Sequence, residues 1–132
     1  MRRRIRKSQP DLLHEGNLTR IRSQAARVAY IHLIRVAQSL TGFDCYPTAK
    51  GVIRVFRYHL QGEQPFSFIV NVDSLLFYIR KPVIGQFKPE LERLRTAFTE
   101  VKQPRPHEIT IRICDLADAK RLMGEVFGVI DA

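Results

Sequence analysis

The chain has no tryptophan, two cysteines, two methionines, and almost no acid in its first half. Cys45 and Cys114 stand 69 positions apart with no second pair, which excludes a zinc-ligand spacing and a disulfide framework and reads as two idle or buried thiols in a reducing compartment. No run approaches the roughly 18 to 20 consecutive apolar residues of a membrane span, because Arg27, His32 and Arg35 interrupt the longest apolar helical pattern. The N-terminus opens like the positive region of a signal peptide, but Ser8-Gln9-Pro10-Asp11 stands where the apolar stretch would follow, so a cytoplasmic protein is expected. Also missing are a Gly-rich phosphate loop, a Gly-Xaa-Ser-Xaa-Gly elbow, a HExxH helix and a Cys-Xaa-Xaa-Cys pair. His14, His32, His59 and His107 are scattered, and His32, on an apolar helix face, reads as a packed core histidine. Neither a cofactor, a metal nor a catalytic residue is expected.

What is present is positive charge, unevenly placed. Residues 1–60 hold 12 Lys and Arg against only Asp11, Glu15 and Asp44, whereas residues 61–132 hold 10 of each sign. The whole net charge of +9 therefore belongs to the first half. A single-sign field steers polyanions and gains affinity by releasing their counterions, so DNA, RNA or an acidic protein surface is the expected partner.

Residues 1–16 combine clustered arginine with Pro10 and Gly16 and lack an apolar period, which suggests a flexible basic arm ahead of one compact domain, 17–132. From Asn17 as N-cap to Gly42 as stop, Leu18, Ile21, Ala25, Val28, Ala29, His32, Val36 and Leu40 recur at steps of three and four, predicting one long helix. Arg20, Arg27 and Arg35 then form a stripe on its other side, while Tyr30, Ile31 and Ile34 broaden its apolar surface enough to suggest a homodimer. Three strand patterns follow, 51–59, 65–71 and 74–80, joined so closely that they must be antiparallel neighbours. Phe66, Phe68 and Val70 alternate with Ser67, Ile69 and Asn71, so one sheet face packs on helices and the other is partly exposed. Pro82–Pro89 reads as a linker, Leu91, Leu94, Phe98 and Val101 as a short helix, 109–113 as a strand after the Pro104 and Pro106 break, and Asp115 as the cap of a last helix. The expected fold is α+β: an antiparallel β-meander plus one further strand, in the order α-β-β-β-α-β-α, backed by a long N-terminal and a C-terminal helix.

The stretch Leu75-Leu76-Phe77-Tyr78-Ile79-Arg80-Lys81-Pro82, followed by Glu108–Ile113 and a helix opening Asp115-Leu116-Ala117-Asp118-Ala119, resembles the small bacterial YdhG-like and MmcQ/YjbR-like domains over about residues 50–128. The resemblance implies an antiparallel sheet backed by helices, a bacterial or phage source, and, for the MmcQ/YjbR-like group, an inferred DNA-binding role. It carries over no site residue.

The residues themselves nominate a nucleic-acid-binding set. Arg2, Arg3, Arg4, Arg6 and Lys7 would lie along phosphates; Arg20, Arg27 and Arg35 would extend that footprint; Lys50, Arg54 and Arg57 would add to it beside Tyr46, Tyr58 and His59. Tyr78 with Arg80 repeats the pairing of ring and cation. Two other readings stay open. One is a protein-interaction module that covers an acidic partner; the other is a metal-dependent nuclease, for which Asp73, Glu100 and Lys102 would have to converge.

Overall fold

The alternation at Phe66–Val70 becomes the centre of a six-stranded antiparallel sheet in the computed structural model, which describes residues 8–80 and 91–129. Among the described residues there are four helices: α1 (Gln9–Arg20), α2 (Gln24–Ser39), α3 (Leu91–Ala97) and α4 (Leu116–Phe127). The strands are β1 (Asp44–Lys50), β2 (Ile53–Leu60), β3 (Glu63–Val70), β4 (Leu75–Arg80), β5 (Val101–Arg105) and β6 (Glu108–Ile113). Their spatial order is β1-β2-β3-β4-β6-β5, so the α+β meander is as expected but carries one extra strand at each end.

Both additions are edges, and both contain proline, Pro47 in β1 and Pro104 in β5. Proline lacks the N–H a ladder needs and is tolerated at an edge, where it also discourages pairing with another sheet. The Pro104 region, expected as a break, is thus edge strand, and Val101, expected in a helix, opens it. Gln61 and Gly62 turn β2 into β3 at positive φ, 50° and 81°, the geometry that suits a two-residue hairpin.

Every second residue of the central strands points to the helices. Phe56, Tyr58, Phe66, Phe68, Leu75, Phe77, Ile79, Ile109, Ile111 and Ile113 are all buried there. Tyr30 of α2 meets Phe68 edge-on with ring centroids 5.9 Å apart, and Phe127 of α4 stacks on Tyr58 at 5.8 Å. Asp115 caps α4 by accepting from the Asp118 amide at 2.8 Å, while the Asp118 carboxylate accepts from the Cys114 amide, a reciprocal cap that satisfies two otherwise orphaned donors. Cys114, expected to be buried, is exposed, because it leaves the sheet at this junction; Cys45 is half-buried.

The long N-terminal helix is two helices. Residues 9–16, expected in the arm, are helical, with Ser8 capping α1. The chain then breaks at Ile21-Arg22-Ser23: the Ile21 backbone is extended, the Arg22 amide donates to the Val72 carbonyl at 2.7 Å, and Ser23 accepts from the Ala26 amide to restart the helix. The break resets the phase of the second helix. Its inward face is therefore Ala26, Ala29, Tyr30, Leu33, Val36 and Ala37, and the expected core positions Ala25 and Val28 lie outside.

Candidate nucleic-acid interface

Among the described residues, the nominated cations do not share one surface. Arg2, Arg3, Arg4, Arg6 and Lys7 lie outside the described residues. Arg20 and Arg27 sit on different helices and turn inward onto main-chain carbonyls, Arg20 Nε donating to Val70 O at 3.3 Å and Arg27 Nε to Ile21 O at 2.6 Å. They hold the helix break in place. Arg35 is exposed on α2. Arg54 and Arg57 are three apart on β2, and strand alternation sends an odd spacing to opposite faces. Arg54 accordingly lies beneath α1 against Gly16, where an added Cβ would come within 2.7 Å of its guanidinium, whereas Arg57 faces away from the helices. Lys50 is exposed where β1 ends.

The face that receives Arg57 bears no helix among the described residues. Following the register strand by strand, Tyr46 pairs with Arg57, Arg57 with Ser67, Ser67 with Tyr78, Tyr78 with Thr110, and Thr110 with Lys102. The result is one row across all six strands, about 24 Å long at about 4.8 Å per strand. It contains two phenol rings and two cations and not one carboxylate. Tyr46 donates to or accepts from His59 Nε2 at 3.0 Å; Arg57 donates to Thr48 Oγ1 at 3.0 Å and to Gln64 Oε1 at 2.8 Å. Those neutral partners orient the guanidinium without cancelling its charge. Arg80 lies over the Tyr78 ring, 4.4 Å from its centroid, with one nitrogen on Ser67 Oγ and another on Glu108. Beside this row runs an apolar one, Val55, Ile69 and Leu76, ending at Arg112.

Sequence reasoning found Tyr46, Arg57, Tyr78 and Arg80 as separate pairs. It missed Lys102, because β5 was not recognised, and Arg112, although its alternation with Ile111 and Ile113 marks it as outward-facing. Tyr58, which on this strand reads first as core or sheet-edge packing, is core: its ring is fully buried and burial pushes its phenol well above the ordinary value.

Of the three residues that metal-dependent hydrolysis would need, Asp73 and Lys102 are exposed and Glu100 is held in an ion pair. Glu100 accepts from Arg112 Nε at 2.8 Å, and Arg112 Nη1 donates to Ser74 Oγ at 2.8 Å, beside the exposed Asp73. Among the described residues no group of three or more His, Cys, Asp or Glu is placed to hold a metal ion.

On the helical side, a chain of polar contacts fixes α1 to the body. Arg54 Nη1 donates to Asn17 Oδ1 at 3.3 Å, Asn17 Nδ2 donates to Tyr30 Oη at 2.9 Å, and Tyr30 Oη is hydrogen-bonded in turn to His14 Nδ1. Burial lowers the pKa of His14, with Asp11 acting the other way, and burial pushes Tyr30 up to about 12 despite its bond from Asn17 and the nearby Arg54. These contacts span 13 to 37 residues of sequence, and no local pattern announces them.

Comparison of the chain with protein-family models, with curated proteins and with solved structures gave no match.

Proposed function

We propose that this chain binds nucleic acid, and that the open face of the sheet takes single-stranded segments by stacking, with phosphates held by the cations around it. The observation that carries this reading is the carboxylate-free row Tyr46–Arg57–Ser67–Tyr78–Thr110–Lys102. Unpaired bases stack on phenol rings and on guanidinium planes, and a sheet surface presents such groups at fixed spacing. The net charge of +9 supports the same reading through long-range attraction. The five basic residues before Ser8 would add phosphate contacts without reading sequence.

The test is fluorescence anisotropy with single-stranded and duplex oligonucleotides over a salt series. Tyr46→Ala and Tyr78→Ala should each weaken single-strand binding by about 5- to 100-fold, the worth of one stacked base. Arg57→Ala should reduce the salt slope by about one. Affinity that ignores salt, or that survives all three substitutions, would rule the sheet face out.

A further inference from the structure

The turn that joins β1 to β2 exposes two aliphatic side chains where polar residues ordinarily stand. Lys50 is in register with Ile53, so Gly51 and Val52 make the reversal, and Gly51, at φ 62°, supplies the left-handed backbone it requires. Nothing in that geometry calls for a large apolar residue. Yet Val52 and Ile53 are 73% and 56% accessible, the most exposed large hydrophobic residues among those described. The register of β2 with β3 begins only at Val55, and a Cβ added to Gly51 would meet nothing within 4 Å, so the tip projects clear of the sheet.

The stem below the tip is braced on both sides. On the helical side Arg54 Nη1 reaches Asn17 Oδ1 at 3.3 Å; on the open side Thr48 Oγ1 donates to Val55 O at 3.3 Å and accepts from Arg57 Nε at 3.0 Å. Residues 44–60 carry Lys50, Arg54 and Arg57 against a single carboxylate, Asp44, which is in register with His59 at the end remote from the tip. Strand alternation puts Ile53, Val55 and Arg57 on the open face together, with Ile53 about 13 Å from Arg57 at about 3.3 Å per residue. The tip is thus continuous with the row of rings and cations, at its β1–β2 corner.

We propose that this tip is a wedge, and that the nucleic acid bound is a junction in which a single strand, held on the sheet face, continues into duplex. The inference rests on the single-strand reading of that face and adds the form of the partner. Aliphatic side chains that enter a base step unstack it, and cations beside such a wedge hold the flanking phosphates. Val52 and Ile53 are adjacent, which suits one base step, and Lys50 stands directly across from Ile53. A strand that leaves Arg57 toward the tip meets these two side chains where pairing resumes, and the terminal base pair exchanges its stacking for apolar groups that otherwise face water. A lipid surface would accept the same aliphatic pair but would leave the adjoining rings and Arg57 with no part in the contact.

Fluorescence anisotropy at fixed salt compares three probes: an oligothymidine strand, a blunt duplex, and the same duplex carrying an oligothymidine tail. The tailed duplex should bind about tenfold tighter than the better of the other two, the gain from burying two aliphatic side chains less the cost of unstacking. A 2-aminopurine in its terminal base pair should brighten on binding as that base unstacks. Val52→Ser with Ile53→Thr should abolish both the increment and the brightening while oligothymidine affinity stays unchanged; both side chains are exposed, and circular dichroism establishes that the variant is folded. A wild type that does not bind oligothymidine refutes the single-strand reading, and the wedge with it. Where oligothymidine binds, equal affinity for strand and tailed duplex, or a folded variant that keeps the increment, overturns the wedge alone. Phosphatidylserine vesicles bound by the wild type and not by the variant, with no junction increment, would overturn it too and assign the tip to a lipid surface.

Discussion

Two buried tyrosines should respond with opposite signs to loss of the same atom. Tyr30 Oη accepts from Asn17, 1% exposed, and is hydrogen-bonded to His14 Nδ1. In Tyr30→Phe the Asn17 amide loses its acceptor inside the core, at about 1 to 3 kcal/mol for a buried group left unpaired. His14 is only half-buried and can turn to water, so its loss adds less, and the sum is about 2 to 3 kcal/mol. Tyr58 Oη is also fully buried but has no hydrogen-bond partner among the described residues. Tyr58→Phe removes a desolvated hydroxyl without orphaning anything and should stabilise the protein by about 0.5 to 1 kcal/mol. The ring contacts with Phe77 and Phe127 stay. The two variants should then differ by roughly 3 kcal/mol, on the order of 10 °C in Tm for a domain of this size. Urea denaturation at pH 7.5 reads both. A destabilised Tyr58→Phe, or an indifferent Tyr30→Phe, would refute the assignment of the polar chain through Tyr30 as the bond that seats α1.

Three more outcomes are expected. His14 is lowered below its ordinary 6.5, chiefly by burial, so the unfolded chain takes its proton first; stability is complete above pH 6.5 and declines as pH falls through the folded value, and His14→Gln should flatten that part of a urea-midpoint profile against pH. Arg20→Met and Arg27→Met should each lower stability by about 1 kcal/mol and leave oligonucleotide affinity unchanged; reduced affinity with intact stability would return these arginines to a binding role. Asp115→Ala removes the cap of α4 and should cost about 1 kcal/mol, measured by thermal unfolding, whereas the same change at the exposed Asp73, which caps no helix, should be near neutral.

The central elements were legible because burial on one side imprints a period. Ile109-Thr110-Ile111-Arg112-Ile113 and Phe66–Val70 alternate since one face meets the helices, and the capped start of α4 is written in Asp115 and Asp118. The edge strands bury little, β5 being exposed beyond Val101, so their sequences carry no alternation and contain proline. The break after Arg20 was hidden for a related reason. Leu18, Ile21 and Ala25 continue a helical spacing across it, and what interrupts the helix is a contact between Arg22 and Val72, fifty residues distant.

The amino-acid order alone determined the α+β class, the antiparallel meander, the core aromatics and a strongly positive first half, since all of these follow from composition and local period. Which cations are free to meet a partner was decided only by folding. Arg20 and Arg27 became ties to carbonyls, Arg54 went beneath α1, and Arg57 joined Tyr46, Tyr78 and Lys102 in a row assembled from residues up to 56 positions apart. Charge is additive along a chain, but a surface depends on parity, register and the distant groups that claim each side chain.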